Sequence, residues 1–407
     1  MMHILLVGFN SGVLQALHDI EQPPRVTVVE EKDLWNNKNL DAKRKKFGNI
    51  DDVVIAEYQK RADVTIDPNS VRGVDAVLPG LEYAVPTAAG IADQLGLPGA
   101  GVTAARTLCN KLRLREATER QGMLAPEYRR INSAQELQEF LANGPCVLKP
   151  AERQASLGVV KLTPGDDPQT AWTESVHADE GVQLANREFD WSYMVERELP
   201  GEEFSTEALV QDGRVVFVNV TYKTIAGGRY PVEMGHAISS LPPSAVWRDR
   251  VQQLADAVSF QSGIMHAEWI GDVERAVLVE CAGRPPGDKI MDLIGLAWGF
   301  DPTEAWMRIL AGDTVELPAA PNRSAAISYI SSDPGQIELI DGVDEVAAIP
   351  GVVSVEMTKS PGDEVAALRS SWERAGHVIG VGTDTTSASE TAARAAHGIT
   401  ISTKESA

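Results

Sequence analysis

The 407-residue sequence contains only three cysteines, Cys109, Cys146 and Cys281, widely separated and odd in number. They supply neither a disulfide framework nor a zinc-ligand spacing. No apolar run approaches the ~18 residues of a membrane-spanning helix, and low-complexity tracts are absent. The N-terminus enters an apolar run at residues 4–7 without a basic region or cleavage site. Positive charge is also scarce, with 37 Lys and Arg against 58 Asp and Glu and a net charge of −21. Such a surface repels nucleic acid and anionic membrane, which excludes both as partners. The one basic run, Lys43, Arg44, Lys45 and Lys46, reads as a solvated loop. Together these absences predict a soluble, cytosolic, reduced protein acting on small molecules. An apolar fraction of 43% supports real cores, and the length calls for two to four lobes.

Strand and helix signals alternate from the start. Residues 3–8 form a compact apolar run, residues 13–20 carry helical spacing, and residues 25–30 and 75–79 read as further strands. A helix over residues 85–95 closes at Gly96. This βαβ order predicts a Rossmann-like parallel sheet with helices on both faces, up to about residue 103. The turn Gly8-Phe9-Asn10-Ser11-Gly12 lacks the full G-x-G-x-x-G and is read as a ligand-facing loop, not a nicotinamide site.

From residue 103 the texture changes. Residues 103–121 have helical spacing and carry Lys111 and Arg115, and residues 145–150 form a strand that ends in Lys149. The polar loop after it contains Ser156, Gly158 and Val159. A lysine at a strand end facing a small-residue loop grips phosphates, the ammonium meeting the charge and backbone N–H groups wrapping the oxygens. A surface hairpin with an incidental lysine is the other reading, and the Walker spacing is missing. A strand over residues 191–199 then leads into Pro200-Gly201-Glu202-Glu203, where exposed backbone suits an adenine edge and a glutamate suits ribose hydroxyls. Residues 204–210, the Asp212-Gly213 turn and residues 214–220 make a hairpin. Residues 221–240, with Lys223, Glu233 and His236, read as an irregular and functional loop.

The most telling stretch is residues 266–288, two short strands around a polar turn, each with a carboxylate where an apolar residue is expected. Side chains two apart share a strand face, so Leu278, Glu280, Ala282 and Arg284 are expected to point together, with Glu268 opposite them in a hairpin. A hard dication bridging both glutamates to a polyphosphate, with Arg284 left for an anionic substrate, satisfies that cluster. A solvated sheet face with casual charge pairing is the bland alternative.

The ordered set Lys111, Lys149 with its loop, Glu196 to Glu203, Glu268, Glu280 and Arg284 resembles the ATP-grasp superfamily. More narrowly it is similar to its carboxylate–amine ligases, among them bacterial L-amino acid (dipeptide) ligases. Glu82-Tyr83-Ala84-Val85-Pro86, Gly96-Leu97-Pro98-Gly99 and Asn110-Lys111 match the lead-in of that family. Pro361-Gly362-Asp363-Glu364 and Gly376-His377-Val378-Ile379 match its tail. The resemblance implies an α/β chain, an ATP-grasp fold preceded by a Rossmann-like domain. Its units would be residues 1–103, a small lobe at 104–188, a large lobe at 189–320 and a C-terminal subdomain at 321–407 completing that lobe.

The same resemblance implies roles. Lys111 and Lys149 would hold ATP phosphates under the loop Ser156 to Val159, which includes Gly158. Glu196 and Leu199 would flank the adenine, and Glu203 would take the ribose. Glu268 and Glu280 would ligate one or two Mg²⁺, or Mn²⁺ in its place. Arg284, supported by Gly287, would polarise the acyl-phosphate or tetrahedral intermediate, and Glu233 and His236 would contact substrate. His236 is open between general base, carbonyl donor and buried structural histidine, and His266 between support and packing. Asp288 and Lys289 stand available for substrate selection. One departure is Ala282, where many members have Asn, which puts the second magnesium in doubt. The implied reaction joins a carboxylate, an amino acid by the acidity of Glu233, to an amine through an acyl phosphate, giving ADP and phosphate, and a homodimer is compatible. A non-catalytic ATP-binding module and, on the N-terminal lobe alone, a nicotinamide oxidoreductase are the rival readings.

Overall fold

The computed structural model describes residues 1–404 except 62, 65, 68, 69, 228 and 229. The last three residues of the expected C-terminal unit therefore lie outside the described residues, as do two of the segment 221–240.

The N-terminal sheet is parallel, in the order Ile50–Ile55, Arg25–Glu30, His3–Val7, Ala76–Pro79. Three of its strands were legible from apolar runs. The fourth, Ile50–Ile55, carries Asp51 and Asp52 on an edge and escaped notice because its faces are half-exposed. Asn10 caps the helix Ser11–Asp19, its side chain accepting from Gly12 and Val13 N–H. The glycine turn before it is shut: a Cβ on Gly80 would meet the Gly8 carbonyl oxygen at 2.2 Å. Glu30, the acid that ends the second strand, accepts from Phe9 and Glu31 N–H at 2.8 Å each.

The expected helix over 103–121 is two, Val102–Leu108 and Lys111–Arg120. Asn110 breaks it, its side chain accepting from Arg113 N–H to cap the second helix. The break sets Lys111 at a helix start. A small antiparallel sheet follows, in the order Tyr128–Ile131, Tyr193–Arg197, Cys146–Pro150, Val160–Leu162. The helices Ala134–Leu141 and Pro168–Val176 cover it through Leu137, Phe140, Leu148 and Val195. The strand Tyr193–Arg197 thus belongs to the small lobe's sheet, past the boundary of 188 that the sequence suggested.

The large sheet has eight antiparallel strands, ordered Val277–Ala282, Gly263–Ile270, Glu203–Gln211, Arg214–Ile225, Glu233–Ile238, Ser324–Ile330, Gly376–Gly382, Val352–Met357. Residues 221–240 are therefore not an irregular loop: the strand Arg214–Ile225 runs on, and Glu233–Ile238 pairs back on it. Alternation of polar and apolar residues there reflects one face turned to a polar cleft. The helix Ala245–Val258 packs on one face with Trp247, Val251, Trp269 and Leu278. On the other, Ile290–Trp298 and Pro302–Leu310 pack with Leu209, Phe217 and Ile264. The last three strands come from beyond residue 320, so the C-terminal part completes this sheet. A three-stranded sheet, Glu364–Val365, Gly335–Asp341 and Thr400–Lys404, lies outside it.

Candidate active site

The N-terminal, small and large sheets meet around a cleft of about 1500 Å³. That exceeds the ~300–1,000 Å³ of an ordinary ligand pocket, leaving room for a nucleotide and more. Lys111, Lys149, Ser156, Val159, Glu196, Leu199, Glu203, Glu233, Glu268, Glu280, Arg284, Gly287 and Asp288 all line it. Gly158 does not. Its φ of +74° turns the chain, its carbonyl accepts from Ser175 Oγ, and an added Cβ would meet Pro150 and Ser175 at 3.0 Å. The glycine shapes the loop's base while Ser156, itself at φ +55° and exposed, forms its tip. His236 is likewise absent from the cleft surface. It is buried, with Nε2 3.4 Å from Asp288 Oδ2 and 3.6 Å from Glu233 Oε2, so it stands behind two carboxylates.

At one end, buried Lys149 and Arg115 share the carboxylate of Glu196, with Arg115 Nε at 2.7 Å. Two cations on one anion leave a net positive charge beside the cleft, suited to phosphate. Burial pulls the Lys149 ammonium below the usual lysine range despite Glu196. The Glu196 side chain is thus committed to positioning Lys149, and the segment that can meet a nucleobase starts beyond the strand end at Arg197. Burial, then the nearby Glu268, raise the Glu203 carboxyl. Lys111 Nζ lies 2.9 Å from Glu280 Oε2 and donates to the Arg153 carbonyl at 2.9 Å, tying the loop to the large lobe.

Glu268 and Glu280 are direct cross-strand partners. A β-bulge lies between their pair and the next, Trp269 with Leu278. The bulge corrects the expected face: Leu278 packs in the core with Cys281, while Glu280, Ala282 and Arg284 reach the cleft. Lys223 Nζ joins Glu268 at 2.7 Å to Glu233 at 2.5 Å. Burial would raise Glu268, but Lys223 and His266 hold it well below the carboxylate range. His266 in turn sits on buried Glu207 at 3.0 Å, which also accepts from Ser205, Asn219 and Thr221. Burial opposes the His266 charge, yet the bonds to Glu207 and Glu268 raise it to about 9. A glutamate pair on facing strands is an oxygen donor set that fits a hard dication. The two ammoniums occupy one oxygen of each carboxylate, and each carboxylate has two. Ala282 offers no side-chain ligand.

Arg284 is held from the N-terminal domain, its Nε donating to buried Glu82 at 2.7 Å and Nη1 to the Pro285 carbonyl at 2.9 Å. Asp288 accepts from both terminal nitrogens of Arg374, at 2.5 and 3.0 Å. Sequence reading missed Glu82, Glu207, Tyr329 and Arg374 as members of this site, and placed Lys223 only in a loop. The usable signal was polar residues at period two inside strands, Ser205 with Glu207 and Asn219 with Thr221.

Residues 142–292 match the ATP-grasp domain family, and residues 328–404 match the L-amino acid ligase C-terminal domain 2 family. The chain thus carries an ATP-grasp domain, and its C-terminal part is of the L-amino acid ligase C-terminal type. The uncharacterized protein y4rH of Sinorhizobium fredii is 25% identical over 368 residues, 86% of this chain and 71% of that one. The alanine–anticapsin ligase of Bacillus subtilis is 24% identical over 269 residues, 60% of this chain, and the aligned part is 56% of that enzyme. The structure of the L-amino acid ligase from Bacillus licheniformis superposes with a TM-score of 0.80 at 18% identity, covering 100% of this chain and 99% of that one. That likeness establishes the fold.

Proposed function

We propose that the chain is an ATP- and Mg²⁺-dependent ligase that joins an amino acid to an amine through an acyl phosphate. The observation that carries this reading is the convergence on one cleft of Lys111, Lys149, Glu268, Glu280 and Arg284, drawn from separate lobes. In the reaction a carboxylate oxygen bonds to the γ-phosphorus of ATP as the bond to ADP breaks. The amine nitrogen then bonds to the acyl carbon, and phosphate leaves with the electrons of the C–O bond.

Phosphoryl transfer needs alignment and charge neutralisation more than covalent help. Lys149, oriented by Glu196, and Lys111 supply fixed positive charge along the polyphosphate. Glu268 and Glu280 would hold Mg²⁺, which neutralises phosphate charge when bound. Arg284, aimed by Glu82, presents two N–H groups to the oxygens that gain charge on the acyl group. Glu233 takes a substrate ammonium, and His236 behind it positions Glu233 and Asp288. Backbone beyond Arg197, Leu199 included, receives the adenine and Glu203 the ribose. The loop carrying Ser156 closes to exclude water, because an acyl phosphate hydrolyses when wet.

The nicotinamide reading finds no support in the N-terminal sheet. Glu30, the carboxylate placed to meet a ribose, is occupied by two backbone N–H groups, and Gly80 closes against the turn at Gly8.

Phosphate release from ATP, measured over a matrix of amino acids and amines, tests the proposal. Release that needs both an acid and an amine, with one ADP per condensed product, is the expected result. Hydrolysis indifferent to both, or none with any pair, rejects it.

A further inference from the structure

Beyond Glu233 the cleft is closed by a wall from three distant segments: Asp288 after the Arg284 turn, Tyr329 in the sixth sheet position, and Arg374 just before the seventh strand. Arg374 donates bidentately to Asp288, and also to the carbonyls of Glu233 at 3.1 Å and Ser371 at 2.9 Å. Its guanidinium carbon lies 3.7 Å from the centroid of the Tyr329 ring. Four of its five N–H donors are engaged. Asp288 is held in the left-handed region at φ +56°, followed by Lys289 at +59°, and Tyr329 Oη donates to the Asp288 carbonyl at 2.8 Å. Two consecutive non-glycine residues in that conformation are costly and are kept where surrounding contacts fix them. The Arg374 side chain is only 9% exposed and that of Asp288 21%.

The spacing of Glu233, His236 and Asp288, with donor atoms within 4.8 Å of one another, could admit a cation. Arg374 already occupies both oxygens of Asp288, whereas Lys223 reaches only Oε1 of Glu233, which leaves Glu233 alone to meet an ammonium. Further along the wall Glu356 is shared by Lys289 and His377 at 3.7 and 3.6 Å. Asp292 lines the cleft too but is exposed, where solvent screens it.

We propose that the Arg374–Asp288 pair is the side-chain selectivity element of this cleft, a charge-cancelled wall that admits an acid substrate with an uncharged side chain. This rests on the ligase reading above. An α-amino acid with its carboxylate toward Arg284 and its ammonium at Glu233 presents its remaining substituent to the pair, since Arg374 donates to the Glu233 carbonyl and Asp288, four residues after Arg284, lines the same cleft. An anionic side chain would have to displace Asp288 from a buried guanidinium, and a cationic one would have to displace Arg374. Either leaves a buried charge unpaired, which discriminates far more strongly than shape does.

The test uses hydroxylamine as the amine, so that only the acid varies, and reads hydroxamate from a panel of uncharged, acidic and basic amino acids. Wild type should favour uncharged side chains over both charged classes. Asp288→Asn, which keeps the left-handed residue tolerable and removes the anion, should raise the relative kcat/KM for acidic side chains by about tenfold or more. Arg374→Gln should do the same for basic ones. The double variant restores a neutral wall and should return to the wild-type order, which keeps the test sound if either single variant folds poorly. Wild type most active on a charged side chain, or single variants with unchanged ratios, would overturn the proposal. No hydroxamate from any acid would instead sink the ligase reading itself.

Discussion

The two ends of the cleft hold charge in different ways. At the polyphosphate end, cations outnumber their carboxylate: Arg115 and Lys149 share Glu196, and positive charge is left over. At the substrate end the side chains run in a row, Arg374–Asp288–His236–Glu233–Lys223, in which Arg374 and Lys223 each meet a carboxylate. The first arrangement suits a ligand that brings several negative charges. The second suits one that is neutral overall and must be discriminated by side chain. Lys223 belongs to both ends, because it touches a carboxylate of each.

The largest effect should come from the glutamate pair. Glu280→Ala removes one of two facing carboxylates and frees Lys111, and ATP turnover should be lost. Thermal unfolding should stay near wild type because Glu280 is partly exposed. Turnover like wild type would remove the metal assignment. Arg284→Lys comes next: it keeps the charge but loses the rigid fork. Ligation should fall about a hundred- to a thousandfold, the usual cost of one aligned donor. Nucleotide affinity by calorimetry should stay within a few-fold, and loss of ATP binding would give Arg284 the wrong role.

Lys223→Met breaks the link between the two ends. Its ammonium is buried and serves two carboxylates, so its loss leaves buried negative charge uncompensated, at a cost of about 3–5 kcal/mol. Urea unfolding should register that loss, and an unchanged midpoint would contradict the bridging role. The smallest effect sharpens the comparison. Ala282→Asn returns a side-chain oxygen beside the glutamates and should lower the magnesium concentration for half-maximal rate. An unchanged or higher requirement would count against Ala282 as the missing ligand.

The polyphosphate end was the more legible in sequence because its groups lie in local patterns, a lysine at a strand end before a polar loop, or glutamates within a hairpin. The N-terminal β-strands His3–Val7 and Arg25–Glu30 were legible for the same reason, as continuous apolar runs. The substrate end is assembled by strand order. Arg374 meets Asp288 only because Glu233–Ile238, Ser324–Ile330 and Gly376–Gly382 lie side by side, a juxtaposition no local spacing encodes. The bulge opposite Glu268 was illegible too, since two-residue periodicity assumes an unbroken ladder. Segment 221–240 misled because a strand facing a polar cleft alternates polar residues as a loop might. The break at Asn110 was readable in principle, since an asparagine before a helical turn is a cap.

The central claim, an acyl phosphate made and used within this cleft, is tested most directly with an acid whose carboxylate carries ¹⁸O. With ATP, Mg²⁺ and the best amino acid pair from the matrix, one labelled oxygen should appear in each phosphate released. Unlabelled phosphate, with both labelled oxygens kept by the acid, would contradict the account.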